Sequence, residues 1–533
     1  MTDLGLLLIA FFIFPGNKIH IPGLITEQQG AFGSAVLPSI RFCLLLLGKP
    51  YNQPRPALMS SIYFIGIGGT AMASVAVALS HMGHAITGSD MLLYPPMSTF
   101  LEEHNIRYFN GFSEKNLEET SPDLVVVGNA VSRGNPDLEY ALDRRMELIS
   151  MPELVRRELI GRNTSIVVAG THGKTSTTSL AAWLLEAGGL EPGFLIGGIH
   201  ENFGVGCRAS GLVEQGFFAT EGDEYDSAFF DKRSKFLLYR PDIAIVNNVE
   251  FDHADIFNSL DEIKRSFRLF VNLVPRSGLL LVNGDDPNSL EVSSKAFCRV
   301  ERFSLDGNAD WNAAEIVTGP EGTTFSLLRG GEDLGRVFVP LFGNYNVMNT
   351  LAATAAAMHA GVSFDSIVRG LASFRRPKRR MELLGDFPGG VTLMEDFAHH
   401  PTAIRVTLEA IAGMYPGRRI VACFEPRSNT TSRNIFQREL AECFDASAVV
   451  VFGKVNRPER YAPEDRLDTE RLCSELAERG KIVFAAGGTG REYPGDIVGF
   501  LDGEVRTGDV VVLLSNGSFS GLKDQLTQKF KKS

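Results

Sequence analysis

A run of β-branched residues, Val167-Val168, passes through Ala169 into Gly170-Thr171-His172-Gly173-Lys174-Thr175-Ser176-Thr177-Thr178, a glycine-flanked turn that reopens as a hydroxyl-rich helix start. Backbone N–H groups freed by such a turn, together with the positive end of the following helix, cradle phosphates. In that setting Lys174 reaches the terminal phosphates of a nucleoside triphosphate, and the Thr175 hydroxyl ligates Mg²⁺. The loop is compressed, because Val168 stands where the usual phosphate loop has its first glycine.

Two acidic segments follow. Ala219-Thr220-Glu221-Gly222-Asp223-Glu224-Tyr225-Asp226 comes just past the apolar Phe217-Phe218, and Asn247-Asn248-Val249-Glu250-Phe251-Asp252-His253-Ala254-Asp255 follows the apolar Ile243 to Val246. Strand ends are where α/β folds place ligands, and hard carboxylate oxygens beside substrate phosphates suit Mg²⁺. The first of these loops can therefore supply ligands to an ion, and His253, flanked by acids at a strand end, is a candidate ligand of a second. Gly343-Asn344-Tyr345-Asn346-Val347-Met348-Asn349 opens a helix with Asn346 and Asn349 on one face, positioned for adenine, while Asn344 is the expected helix cap. Asp396, within Glu395-Asp396-Phe397-Ala398-His399-His400-Pro401, can accept from ribose hydroxyls. Nearer the start, Gly66-Ile67-Gly68-Gly69-Thr70-Ala71 follows a buried strand, and Gly88-Ser89-Asp90 closes the next; this placement serves a nicotinamide cofactor or a nucleotide sugar equally well.

These residues need a scaffold of strands whose carboxyl ends face one way. From Ile62 onward, short apolar runs alternate with helical patterns, the signature of parallel α/β units. Strands are predicted at Ile62–Ile65, Leu124–Val127, Ile166–Ala169, Ile243–Val246, Leu279–Val282, Ile420–Cys423, Ala448–Phe452 and Val510–Leu514. They fall into three clusters, as a chain of 533 residues allows. The first boundary lies just before the phosphate-loop strand, near Gly161-Arg162-Asn163-Thr164, and the second in the basic run Phe374-Arg375-Arg376-Pro377-Lys378-Arg379-Arg380, which reads either as a solvated linker or as arginines that close on phosphates.

The composition, 44% hydrophobic and 22% charged, is that of a globular protein, and a net charge of −11 argues against non-specific nucleic-acid binding. Cys43, Cys207, Cys298, Cys423, Cys443 and Cys473 are scattered without a Cys-x-x-Cys pair, which suggests neither a zinc ribbon nor a disulfide framework and fits a reducing cytoplasm. Leu4 to Phe14 is apolar but far short of the ~20 residues that span a bilayer, so no stable membrane insertion is expected. Residues 1–58 read as an extension upstream of a natural start at Met59, disordered or loosely helical; the competing reading is a membrane-associating segment.

Taken in order, the motifs resemble the Mur ligase family of ATP-dependent amide-forming enzymes over essentially all of residues 59–533: a glycine-rich nucleotide-sugar turn, a short Gly-Thr-His-Gly-Lys-Thr loop, Glu-x-Asp-Glu, Asn-x-Glu-x-Asp-His, Gly-x-x-Asn-x-x-Asn, an Arg-Arg pair and Asp-x-x-His-His-Pro. The compressed loop is a trait of that family. The resemblance implies an α/β fold of three domains. A Rossmann-like UDP-N-acetylmuramate-binding domain would cover 59–155 and a P-loop ATPase-like central domain with a mostly parallel sheet 156–376. A Rossmann-like C-terminal domain for the amine substrate and nucleotide closure would cover 377–533. Gly128-Asn129-Ala130-Val131-Ser132, Asp223 to Phe236, Pro426-Arg427-Ser428-Asn429-Thr430 and Ser515-Asn516-Gly517 are similar to members that attach the tripeptide L-alanyl-γ-D-glutamyl-meso-diaminopimelate to UDP-N-acetylmuramate in peptidoglycan recycling. The alternatives are the L-alanine ligase of de novo peptidoglycan synthesis and, from another class, a non-ligase nucleotide-binding protein.

The same resemblance implies the roles. ATP phosphorylates the sugar's lactyl carboxylate, and the tripeptide amine attacks the acyl phosphate, leaving ADP and phosphate. Gly170, Thr171, His172, Gly173, Lys174, Thr175 and Ser176 would bind ATP, with Arg380 beside Lys174 at the γ-phosphate and Asn346, Asn349 and Asp396 at the nucleoside. Lys174, His253 and Arg380 are the expected catalytic residues. Thr175 and Glu221 would hold one Mg²⁺ and His253 a second. Gly66, Gly68, Gly69, Thr70, Asp90, Asn129 and Ser132 would bind the UDP-sugar, and Arg427, Ser428, Asn429 and Asn516 the peptide. Ala71 and Ala73 depart from the usual residues after the first turn, as Thr220 and Gly222 do around Glu221; Lys232 and Lys235 align with no metal-bridging lysine.

Overall fold

The computed structural model describes residues 59–211, 215–487 and 492–531. Residues 1–58, and with them the expected extension and Cys43, lie outside the described residues. All eight predicted strands are present, each within two residues of its expected ends.

The first sheet has five parallel strands in the order Arg107–Asn110, Ala85–Asp90, Ser61–Ile65, Leu124–Val127, Leu148–Ser150. The chain starts in the middle and winds outward both ways, so the carboxyl ends of Ser61–Ile65 and Leu124–Val127 flank a switch point where ligands bind in such sheets. The helix Met151–Leu154 runs on through Val155–Ile160 and stops at Gly161, whose φ of 52° ends the helical path.

The central sheet has ten strands. From one edge they run Glu332–Val339, Thr323–Arg329, Trp311–Thr318, Arg299–Ser304, Leu279–Asn283, Ile243–Val246, Thr164–Ala169, Phe217–Gly222, Gly193–Leu195 and Cys207–Arg208. The middle of the sheet is parallel, and antiparallel pairs occur only at its two edges. Thr164–Ala169, Ile243–Val246 and Leu279–Asn283 are buried on both faces, which is why they read as unbroken apolar runs. The antiparallel meander over Trp311–Val339 carries polar residues on its outer positions and glycines at its turns, so it stands out less in the sequence.

The third sheet has six strands in the order Glu382–Phe387, Val391–Asp396, Val510–Leu514, Ile420–Phe424, Val449–Phe452, Ile482–Ala485, parallel except for the first pair. Its two faces bury separate apolar clusters, one around Ile404, Leu408 and Phe424, the other around Leu393, Val511 and Leu526. Among the described residues no helix is long and apolar enough to cross a membrane.

Candidate active site

The strand Thr164–Ala169 lies inside the central sheet and delivers the phosphate loop at its carboxyl end. Gly173, at φ 79°, is the N-cap of the helix Lys174–Ala187. A Cβ there would sit 2.6 Å from Asn349 Oδ1 and 2.9 Å from Asn247 Nδ2, so both backbone angle and space demand glycine. Asn248 fixes the loop from the neighbouring strand end: its carbonyl accepts from Thr171 N (3.1 Å) and its Oδ1 from His172 N (2.7 Å).

Lys174 folds back across the loop, and its Nζ donates to the Gly170 carbonyl at 2.7 Å and to Glu224 Oε2 at 2.9 Å. Burial disfavours its charge, but Glu224, Asp223 and Glu221 together outweigh that and raise its pKa. Glu224 is almost fully enclosed; burial opposes its ionisation, and Lys174 and His253 nevertheless hold its pKa below the ordinary value. His253 Nε2 lies 3.2 Å from Glu224 Oε1. Burial works against the imidazolium, yet the Glu224 bond raises it to about 9, so His253 is a cation at neutral pH and must release a proton before it can ligate a metal.

Thr175 Oγ1 donates to Glu221 Oε2 at 2.9 Å, and the other carboxylate oxygen accepts from Gly197 N at 2.5 Å. Burial, then the nearby Asp223 charge, push the Glu221 pKa up, which marks the site as short of positive charge. Asn247 Oδ1 is a buried oxygen without a hydrogen-bond donor. A hydroxyl, carboxylates and an amide oxygen in need of a cation form a donor set that fits Mg²⁺. Arg380 arrives from the end of the basic inter-domain run, its Nη2 3.1 Å from Thr175 Oγ1 and its guanidinium 4.9 Å from the centre of the Phe397 ring.

All of this opens into one cavity of about 1080 Å³. Thr70, Ala71, Pro96 and Met97 line it from the first domain, the phosphate loop, Glu221, Glu250 and His253 from the central one, and Asp396, His399, His400 and Asn516 from the third.

Three family models match in succession: the Mur ligase family catalytic domain over residues 61–161, the Mur ligase middle domain over 168–357, and the Mur ligase glutamate ligase domain over 379–517. The UDP-N-acetylmuramate–L-alanyl-γ-D-glutamyl-meso-2,6-diaminoheptandioate ligase of Haemophilus influenzae is 37% identical over 474 residues, 89% of this chain and 100% of the relative. The chain belongs to the Mur ligase family. The UDP-N-acetylmuramate–L-alanine ligase of Clostridium acetobutylicum is 30% identical, over 89% of this chain and 98% of the relative. Among solved structures, a murein peptide ligase from Psychrobacter arcticus superposes with a TM-score of 0.65 at 33% identity, covering 89% of this chain and 99% of that one.

In this Mur ligase the first-domain residues gather at the switch point. Gly66 is close enough to the second loop that an added Cβ would touch Val131, and exposed Asn129 and Ser132 lie on that loop. Gly69 caps the helix Thr70–His81 without a side-chain bond, which leaves amides for an anion. Asp90 is spent differently: its two oxygens accept from Gly68 N and Met91 N, each at 2.8 Å, so it braces the turn. Of the expected sugar-site residues, only Thr70 reaches the main cavity; Gly66, Gly68, Gly69, Asp90, Asn129 and Ser132 do not line it.

Asn346 and Asn349 line the cavity, but their amides join a buried chain. Asn247 Nδ2 donates to Thr177 Oγ1 (3.0 Å), Thr177 Oγ1 to Asn349 Oδ1 (3.0 Å), Asn349 Nδ2 to Asn346 Oδ1 (3.2 Å), and Asn346 Nδ2 to the Phe342 carbonyl (2.8 Å). The pair ties the phosphate-loop helix to Asn344–His359. Asn344 is not the cap: the helix begins with it, and Gly343 at φ 85° holds the cap position with no side-chain bond. Asp396 is buried, and its oxygens accept from Met381 N and Ala398 N, each at 2.7 Å.

The loops expected to meet the peptide are brought together from distant sequence. A Cβ on Gly517 would fall 2.2 Å from Arg427 Nε, so the glycine allows the guanidinium to lie on the backbone of the Asn516 loop. Arg379 Nη2 braces that loop through the carbonyls of Ser515 and Gly517, each at 2.6 Å. Asn516 lines the main cavity; Arg427, Ser428 and Asn429 lie outside its wall. Asn429 Nδ2 instead donates to Asp255 Oδ2 (2.9 Å), and Thr430 Oγ1 to Asp252 Oδ1 (2.9 Å), docking the third domain on the central one. Sequence reasoning passed over Glu224, the shared partner of Lys174 and His253, and Asn248; both sit in motifs already noted, but only their contacts single them out. Lys235 is paired with Asp223 at 3.1 Å and lies over the Tyr225 ring, and Lys232 is paired with Asp226 at 2.5 Å.

Proposed function

We propose that this Mur ligase joins the tripeptide L-alanyl-γ-D-glutamyl-meso-diaminopimelate to UDP-N-acetylmuramate, consuming ATP and releasing ADP and phosphate, in the cytoplasm and in the service of peptidoglycan recycling. The carrying observation is the convergence of Lys174, Thr175, Glu221 and Arg380 from two domains on a cavity that Thr70 of the first domain also lines. A tripeptide as amine donor is supported by the greater similarity to the relative bearing that name than to the L-alanine ligase.

Phosphoryl transfer calls mainly for positioning and charge neutralisation. The amides of the 170–176 loop hold the ATP phosphates, and Lys174 exchanges Glu224 for the γ-phosphate while Arg380 approaches from the other domain. Thr175 and Glu221 would hold one Mg²⁺ and His253, once deprotonated, a second, and the ions would supply charge neutralisation at the transferring phosphoryl group. Gly66 to Thr70 and the Asn129–Ser132 loop hold the UDP-sugar across the switch point. Arg427, Ser428, Asn429 and Asn516 receive the peptide, whose carboxylates pair with a guanidinium. Asn346, Asn349 and Asp396 shape the nucleoside end through the backbone and helix contacts they maintain.

ADP release in the presence of UDP-N-acetylmuramate, measured with the tripeptide and separately with L-alanine, tests the reading. Stimulation by tripeptide alone supports it; stimulation by L-alanine alone sinks it.

A further inference from the structure

The phosphate loop binds through its backbone, which leaves the His172 imidazole for another use. His172 Nε2 and His400 Nδ1 each lie 3.6 Å from Glu250 Oε2, and the three donor atoms fall within 4.8 Å of one another. A four-coordinate Zn²⁺ with bonds of about 2.0–2.1 Å sets its ligand atoms roughly 3.3 Å apart, so the two histidine–Glu250 separations are close to that spacing, and the two imidazoles must draw together by up to about 1.5 Å to hold an ion.

The surroundings prepare these atoms as ligands. His400 Nε2 is 3.1 Å from the Phe251 carbonyl, which places the proton on Nε2 and leaves Nδ1 with a lone pair. That lone pair now takes only a long 3.3 Å bond from Thr402 N at the helix start. His172 Nε2 is buried without a hydrogen-bond partner. Thr402 Oγ1 donates to Glu250 Oε2 at 2.6 Å, and such outer partners orient ligating histidines and carboxylates in metal sites. Glu250 is partly exposed, so water can complete the coordination.

We propose that His172, Glu250 and His400 form a Zn²⁺-selective site, separate from the Thr175–Glu221 oxygen cluster, that fastens the C-terminal domain to the phosphate loop. Two imidazoles and one carboxylate favour a borderline transition ion over Mg²⁺, which takes oxygen ligands. The ion would bridge two domains, because His172 and Glu250 belong to the central one and His400 starts the helix Pro401–Met414 of the third. The site does not depend on which amine the enzyme uses.

The test is Zn²⁺ titration of the full chain by calorimetry in excess Mg²⁺ without nucleotide, with Co²⁺ absorption as a second readout. Glu250→Gln keeps an acceptor for Thr402, and His400→Asn keeps a helix cap while removing the imidazole. Wild type and His253→Ala should bind one Zn²⁺ equally well, and Co²⁺ should give them a tetrahedral spectrum. Glu250→Gln and His400→Asn, with melting midpoints that show them folded, should lose Zn²⁺ affinity by roughly 100-fold or more, beyond the usual cost of an outer partner. His172→Asn gives the same reading should either fail to fold. Absence of Zn²⁺ binding in wild type, unchanged binding in the folded variants, or loss in His253→Ala overturns the proposal.

Discussion

Lys174 Nζ lies 2.9 Å from Glu224 Oε2, so the lysine of the phosphate loop is neutralised by a buried carboxylate fifty residues later. In the proposed reaction ATP would displace that partner, and Glu224 would remain beside His253, 3.2 Å away. The pair gives a buried cation a partner, which on that proposal the γ-phosphate would replace. Lys174→Ala should cut ADP formation by about 10²–10³-fold or more. Glu224→Gln should both slow turnover and lower stability by up to about 3–5 kcal/mol, the cost of breaking a buried pair. Single-turnover ADP release and urea unfolding check the two; full activity in Lys174→Ala would mean that the loop does not bind phosphate.

Glu221 Oε2 accepts a hydrogen bond from Thr175 Oγ1, and burial and Asp223 raise its pKa. Chelation of Mg²⁺ should abolish ADP formation, and added Mg²⁺ should restore it. Glu221→Gln should raise the Mg²⁺ concentration needed for half-maximal rate by at least about tenfold, in line with the loss of one charged ligand. A Mg²⁺ titration of the initial rate reads this directly, and an unchanged midpoint would remove Glu221 from the ligand set.

Arg427 lies on the Gly517 backbone with Nη1 3.5 Å from Glu425 Oε1. Arg427→Ala should raise KM for the tripeptide about 10–100-fold, the worth of a charge-assisted hydrogen bond, with KM for ATP little changed. Equal effects on both KM values would indicate a collapsed loop.

Asn429 and Asp255 meet across the border of the central and third domains at 2.9 Å. Because both are exposed, a double-mutant cycle on kcat/KM with Asn429→Ala and Asp255→Ala should give a coupling of about 0.5–1 kcal/mol. Strict additivity would show that the contact plays no part in the active arrangement.

His200 is fully buried, and burial lowers its pKa from 6.5 to about 4. The unfolded chain therefore takes up the proton at higher pH than the native one. Stability from this group is complete above about pH 6.5 and is lost as pH falls toward 4, by about 3 kcal/mol in all. Denaturant unfolding between pH 7 and pH 4 should show His200→Gln losing correspondingly less stability than wild type; parallel curves would contradict the assignment.

The parallel strands were legible because strands buried on both faces must be apolar throughout, and the phosphate loop because glycine, lysine and threonine each have one job at fixed spacing. The meander over Trp311–Val339 was not, since its half-exposed strands dilute the pattern. Asn344 misled because an asparagine at a helix start usually caps, whereas here Gly343, with its φ of 85°, takes that position. Asp90 and Asp396 were recognised as polar residues at strand ends, but nothing local reveals that backbone amides occupy both oxygens of each.

The family and the order of three α/β domains were readable from the residues alone, because they depend on local spacing, as in the 170–175 loop, and on strands that must be buried. Only the tertiary structure decided which carboxylate answers Lys174, that Arg427 rests on Gly517, and that His172, Glu250 and His400 face one another. Each of those pairings spans tens to hundreds of residues, and a side chain's partner is set by how the sheets bring strand ends together, which no window of sequence encodes.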